Sequence, residues 1–122
     1  MRKEEFRRIA KRALARLPAE LRAHVEDCVL TIQRRPGPRL RKEMGLAEDE
    51  DLFGIYEGAA LTERSLADAP EMPPRLILFY EPLLDACATK AELIHEIQVT
   101  VLHEVGHHFG LDEDRLEELG FG

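Results

Sequence analysis

Residues 89–110 read TKAELIHEIQVTVLHEVGHHFG and decide how the rest of the chain must fold. Thr89 followed three residues later by Glu92 forms a capping box, which signals the start of a helix. Gly110 suits the left-handed position that commonly follows a helix. The pattern therefore predicts one long helix from about residue 90 to residue 109. Apolar residues cover most of the circumference of its middle, which indicates a largely buried helix.

Two histidines near the end of this helix, His103 and His107, are four residues apart and project from one face. Two imidazoles at that spacing can bind a single Zn²⁺ ion. Glu104 lies about 100° further round the helix, where it suits a general base better than a ligand. Glu96 and Thr100 extend the polar stripe on the same side. Solvent-facing chance histidines are the alternative, but the apolar surroundings favour one bound zinc ion per chain.

The third metal ligand must come from beyond Gly110, because this glycine ends the helix and lets the chain turn back. An acidic run follows, and a carboxylate is an ordinary third ligand beside two histidines. Glu113 is the first choice and Asp112 the second. The alternative role for such a residue is to cap a short last helix, expected near residues 113–119. Iron fits open sites of this composition as well, although HExxH on one helix favours zinc.

The remaining elements predict an α+β fold, with a small mixed sheet of three to four strands packed against the long helix. An N-terminal helix and a short C-terminal helix complete it. RLILFY at 75–80 is a continuous apolar run bounded by prolines, typical of a central strand buried on both faces. The other expected segments are a helix over 3–17, strands over 25–33 and 52–57, a turn-rich break at 34–39, a solvated acidic loop at 48–51 and a helical turn at 83–87.

Length and net charge limit which classes of partner the protein can have. A chain of 122 residues suggests one domain spanning 1–122. The net charge of −7 argues against nucleic-acid binding, which needs a basic face. No run reaches the roughly 18 apolar residues of a membrane span, and the N-terminus lacks a secretory segment, so a cytoplasmic protein without membrane contact is expected. Cys28 and Cys87 have apolar neighbours and are expected to be reduced thiols rather than a disulfide.

Gly106 lies in the middle of the long helix, where glycine costs up to about 1 kcal/mol relative to alanine. Close packing of the helix against the sheet is the favoured explanation, and the alternative is that only a hydrogen atom fits beside the metal face or an adjacent strand. Three further histidines are expected to be surface or packing residues: His24, His95 and His108.

HEVGHHFGLDE at 103–113 resembles the zincin motif HExxHxxGxx(H/D) of matrix metalloproteases and other metzincins. IYEGAALTERS at 55–65, RLILFYEPL at 75–83 and the tail through RLEELGFG resemble, more specifically, the minimal zincin-like metallopeptidase family of bacteria. This resemblance covers the chain from about residue 20 to its end. The family is similar to a matrix-metalloprotease domain reduced to its core.

The resemblance implies zinc ligands at His103 and His107, a catalytic Glu104 and an acidic third ligand at Glu113. The family usually has Asp at that last position, so Glu113 departs from its pattern. The chain also departs from the metzincins in lacking a methionine turn after the motif. All three methionines precede it: Met1, Met44 and Met72.

Two functions remain open at this point. The resemblance implies a zinc-dependent peptidase that binds a peptide substrate as an added antiparallel strand. By analogy the substrate-binding residues are Gly54, Ile55 and Tyr56. The alternative is a zinc-binding module with little or no hydrolysis, acting in structure or partner binding. Glu104 favours the peptidase, because a structural zinc site has no need of it, whereas the short chain leaves little room for a substrate cleft.

Overall fold

Three strands form one mixed sheet in the computed structural model, which describes residues 1–58 and 73–118. The strands are β1 Val29–Gln33, β2 Gly54–Glu57 and β3 Arg75–Phe79. β3 is central, parallel to β1 and antiparallel to β2. Its residues from Leu76 to Phe79 are all buried. The predicted central strand, buried on both faces, is therefore confirmed.

Six helices accompany this sheet in the described residues, and the longest of them contacts most of the others. They are α1 Lys3–Ala15, α2 Ala19–Glu26, α3 Pro38–Glu43, α4 Tyr80–Ala86, α5 Lys90–His108 and α6 Glu113–Glu118. Helix α5 packs against α1, α2, α4, α6 and β2. This confirms the α+β prediction of a small mixed sheet against one long helix. Within the described ranges, no helix is long and apolar enough to cross a membrane.

Two helices were not predicted. The strand expected from residue 25 begins only at Val29, because Leu21 and Val25 are buried one turn apart on α2. Helix α3 occupies part of the expected turn-rich break and has Pro38 at its first position, where a missing N–H costs nothing. For the same reason Pro82 lies within the first turn of α4, so the expected turn at 83–87 is a helix that starts at residue 80.

The start of α5 follows the predicted capping pattern with one difference. The Glu92 N–H donates to Thr89 Oγ1 at 3.1 Å. The Glu92 carboxylate accepts from the N–H of Ala88 at 2.6 Å, instead of from Thr89 itself. Further along α5 the buried Gln98 amide donates to the Ala13 carbonyl at 3.2 Å, which joins α5 to α1. These contacts fix the position of the helix that carries the histidines.

Candidate metal centre

Helix α5 ends in a turn that sends the chain back along its own last turn. Gly110 has a φ of 80°, the left-handed conformation that glycine adopts without strain. Its N–H donates to the His107 carbonyl at 3.2 Å, and the Leu111 N–H donates to the Gly106 carbonyl at 2.8 Å. These two bonds form a Schellman motif. The start of α6 consequently lies beside the histidines of α5.

Gly106 makes room for this returning segment. A Cβ at this position would lie 3.3 Å from Leu116 Cδ2 and 3.6 Å from Leu111 Cβ. Leu116 is fully buried. Close packing therefore explains the glycine, but the expected neighbour was wrong, because the atoms nearest to this position belong to the returning C-terminal segment rather than to the sheet.

Three potential ligands converge on one point outside the helix. The side-chain donor atoms of His103, His107 and Glu113 all lie within 4.8 Å of one another. Glu113 Oε1 is 3.3 Å from His107 Nε2 and 3.9 Å from His103 Nδ1. Two ligand atoms bound at about 2.0–2.1 Å to a tetrahedral zinc ion are about 3.3 Å apart. The donor types and the shorter separation therefore fit a shared ion.

Asp112 lies outside this cluster. Its Oδ1 accepts a hydrogen bond from the Arg115 N–H at 2.9 Å. That contact joins the residue before α6 to the third residue of the helix, which is the geometry of an N-cap. The structure thus brings the first-choice ligand Glu113 to the histidines and gives Asp112 the capping role.

Glu104 projects from α5 toward β2 and is half-buried. Burial raises the pKa of its carboxyl group above the ordinary value. The backbone N–H of Tyr56 hydrogen-bonds this carboxylate and acts in the opposite direction, as do the imidazoles of His107 and His103. A carboxylate held in place, with an increased affinity for a proton, suits a general base.

The residues predicted for substrate binding make up most of β2: Gly54, Ile55 and Tyr56. Within the described sheet β2 has a strand on one side only. The Phe53 carbonyl accepts from the Phe79 N–H of β3 at 2.9 Å. Because main-chain groups alternate in direction along an antiparallel strand, those of Gly54 and Tyr56 face the open side. The Tyr56 N–H reaches Glu104 there.

A cleft of about 260 Å³ lies between the start of β2 and helix α5. Its lining residues are Asp51, Leu52, Phe53, Gly54, Val99, Thr100, His103 and Glu104. One candidate ligand and the candidate base therefore open into a single cleft. The polar stripe predicted on α5 included Thr100. The part of the cleft wall formed by residues 51–53, just before β2, was not predicted.

A family model described as zincin-like metallopeptidase matches residues 25–122, which include every residue of this cluster. The chain belongs to the zincin-like metallopeptidase family. The resemblance read from the sequence is thereby confirmed, over nearly the same part of the chain.

The fold of this zincin-like chain is also similar to that of a conserved hypothetical protein from Thermo thermophilus. The TM-score is 0.56 at 17% sequence identity, and the match covers 88% of this chain and 94% of that one. At this identity the likeness shows the fold alone. No curated protein sequence matches the chain significantly.

In this zincin-like chain the cleft wall before β2 is fixed by Arg41. Its guanidinium donates to the carbonyls of Ala47 and Glu50 at 2.8 Å each and to that of Glu48 at 3.3 Å. Another nitrogen of the same group lies 3.6 Å from Asp51 Oδ1. The acidic loop is exposed, as expected, but it is tied down. No local sequence pattern distinguishes this arginine from other surface arginines.

The remaining histidines lie outside the cluster. The His24 ring stacks on Phe109, with centroids 3.8 Å apart and planes 15° apart. The His108 ring meets the ring of Tyr56 at 4.6 Å in an edge-on arrangement. His95 is exposed on α5. His24 and His108 thus have the packing contacts expected of them.

The Tyr56 hydroxyl hydrogen-bonds the thiol of Cys28. The second thiol, Cys87, lies at the end of α4. Both cysteines are free. Tyr56 therefore joins β2 to Glu104 through its main chain and to the segment between α2 and β1 through its side chain.

Adding a methyl group at Gly54 should destabilise the protein by about 1–3 kcal/mol, because it overpacks the contact between β2 and α5. The new Cβ would lie 3.0 Å from the Ile77 carbonyl oxygen and 3.1 Å from Thr100 Cγ2. Denaturant unfolding of Gly54→Ala measures the loss. Thr100→Ser, added to the Gly54→Ala variant, removes Cγ2 and keeps the hydroxyl bond to the Glu96 carbonyl. It should restore only part of the lost stability, because the contact with the Ile77 carbonyl oxygen remains.

The matched control for this prediction is Gly37→Ala. A Cβ at Gly37 would meet no atom within 4 Å. The control should therefore remain within about 1 kcal/mol of wild type. If Gly54→Ala unfolds at the same denaturant concentration as this control, β2 does not approach α5 as closely as the structure has it.

Proposed function

We propose that this zincin-like chain is a zinc-dependent peptidase that hydrolyses peptide bonds. The observation that carries the proposal is the convergence of His103, His107 and Glu113 beside Glu104, with a cleft alongside. Membership of a metallopeptidase family supports it. Three protein ligands leave a fourth position for water or substrate, which is the usual difference between a catalytic and a structural zinc site.

Zinc bound by these three residues would supply Lewis acidity toward a carbonyl oxygen and would lower the pKa of a water molecule. Glu104 accepts a proton from the attacking water in this proposal and returns it to the leaving amine. The Tyr56 N–H holds the Glu104 carboxylate, so the proton acceptor is positioned before substrate binds.

The substrate in this proposal is an extended peptide or protein segment. In the described sheet the main-chain groups of Gly54 and the Tyr56 carbonyl face the open side of β2, where the Tyr56 N–H already donates to Glu104. A peptide that pairs there as an antiparallel strand lays its own backbone across the cleft beside His103. A cytoplasmic location, and the lack of nucleic-acid and membrane partners, stay predictions.

Zinc-dependent cleavage of a peptide mixture tests the proposal. The chain, reconstituted with one equivalent of zinc, is incubated with a digest of whole-proteome peptides, and new termini are identified by mass spectrometry. We expect cleavage that stops when 1,10-phenanthroline removes the metal and resumes when zinc is returned. Cleavage unaffected by the chelator, or no cleavage by a fully zinc-loaded chain, contradicts the proposal.

A further inference from the structure

A second cavity, separate from the cleft at Glu104, opens between the C-terminal half of α1, helix α2 and strand β1. Its volume is about 260 Å³. Its walls are mostly aliphatic, from Leu14, Ala15, Val25, Leu30 and Leu76, and Cys28 completes them. None of these residues lines the cleft beside the candidate metal centre.

The mouth of this cavity carries two cations and one anion: Lys11, Arg22 and Glu26. The Arg22 guanidinium donates to the Ala15 carbonyl at 3.4 Å, which holds it across the corner between α1 and α2. Within the described ranges, none of the three forms an ion pair. Among the described residues, no carboxylate is therefore paired with either cation.

The charge around the mouth favours an anionic ligand. Residues 1–28, which include both helices of the cavity, contain eight arginines and lysines against five glutamates and aspartates, although the whole chain has a net charge of −7. A local positive potential raises the concentration of small anions at the surface. An apolar cavity beneath cationic side chains is complementary to a molecule that has an aliphatic chain and one negative end.

We propose that this cavity binds a linear aliphatic carboxylate of medium length, with the chain between α1, α2 and β1 and the carboxylate at Lys11 and Arg22. The volume exceeds the roughly 150 Å³ that encloses a benzene ring. It is slightly below the roughly 300 Å³ at which drug-sized pockets begin. A chain of about eight carbons, as in octanoate, suits this size.

Cys28 can report occupancy of the cavity, because it is one of the lining residues. Cys87 is the matched control in the same chain, since it is also half-buried and lies outside this cavity. Burial raises the pKa of both thiols. Alkylation with iodoacetamide is therefore best followed near pH 9, with the rate at each cysteine read by peptide mass spectrometry.

Octanoate should slow alkylation of Cys28 at least about fivefold at saturation and leave Cys87 unchanged. Each further buried methylene strengthens binding roughly fourfold, so hexanoate, which is two methylenes shorter, should need roughly 15-fold higher concentrations. Octanol has the same chain without the charge, and it should protect Cys28 more weakly than octanoate. This difference measures the contribution of the two cations.

Removing the cations tests the anionic end of the ligand. Lys11→Gln with Arg22→Gln should raise the dissociation constant of octanoate roughly 5- to 20-fold, because two exposed charge contacts are lost. The matched control is Arg39→Gln with Lys42→Gln on helix α3, and it should leave the dissociation constant of octanoate unchanged. The proposal is overturned if Cys28 is not protected, if both cysteines are slowed equally, or if octanol protects as well as octanoate.

Discussion

Replacing Glu104 by glutamine should leave one zinc ion per chain and reduce peptide hydrolysis about 10²–10⁴-fold. Glutamine has nearly the same shape, and Glu104 is not one of the three convergent donors. The glutamine amide cannot accept a proton at the pH of the reaction, however, so the substitution lowers turnover and not zinc binding. Zinc content by plasma mass spectrometry and initial rates on one cleaved peptide measure the two effects separately.

The control for this prediction is Glu96→Gln, the same change two turns earlier on α5. Glu96 is also partly buried, but it does not line the cleft beside the metal centre. Its activity should remain within about twofold of wild type, because it takes no part in proton transfer. Full activity in Glu104→Gln with zinc retained would refute the general-base role and leave the zinc-binding module as the better account.

Replacing Glu113 by alanine should weaken zinc binding by roughly 100-fold or more, since a three-ligand site loses one of its donors. The reason is the position of its carboxylate, 3.3 Å from His107 Nε2. Competition with a chromophoric zinc chelator measures the affinity. Glu117 is exposed on the same helix and lies outside the cluster. The Glu117→Ala variant should therefore bind zinc as tightly as wild type.

Asp112→Ala distinguishes the two acidic residues that the sequence left as candidates. Asp112 caps α6 through the Arg115 N–H, so its loss should cost about 1 kcal/mol of stability. Zinc affinity should fall far less than in Glu113→Ala. A larger loss of zinc from Asp112→Ala than from Glu113→Ala would mean that the turn after Gly110 presents the other carboxylate.

The elements with strong local signals were predictable. The apolar run before Pro82 identified β3, and the pair Thr89 and Glu92 placed the start of α5 to within a residue. The spacing of His103 and His107 followed from the helix itself. Each of these depends on neighbours within a few residues, which is what a sequence displays directly.

Helices α2 and α3 were missed because their signals are short. Helix α2 has two buried residues, Leu21 and Val25, and the second also begins a run of strand-forming residues. Helix α3 has no buried residue, so it shows no apolar period. About two turns of helix give too few apolar positions for a helical period to be distinguished from a loop.

The site was predictable in composition but not in its surroundings. The glycine at 110 indicated a turn, and the acidic run after it limited the third ligand to few residues. The return path depends on Leu116 packing against Gly106, a contact ten residues apart. The cleft wall depends on Arg41 bonding to several loop carbonyls. Contacts between separate segments leave no periodic pattern in the sequence.

The metal content of wild type and His107→Ala tests the central claim most directly. Both chains are purified without chelators or metal-affinity tags and analysed by plasma mass spectrometry, before and after incubation with zinc and removal of the excess. The account predicts close to one zinc ion per wild-type chain and far less in His107→Ala. Wild type that holds no zinc after incubation, or a variant that holds as much as wild type, would contradict it.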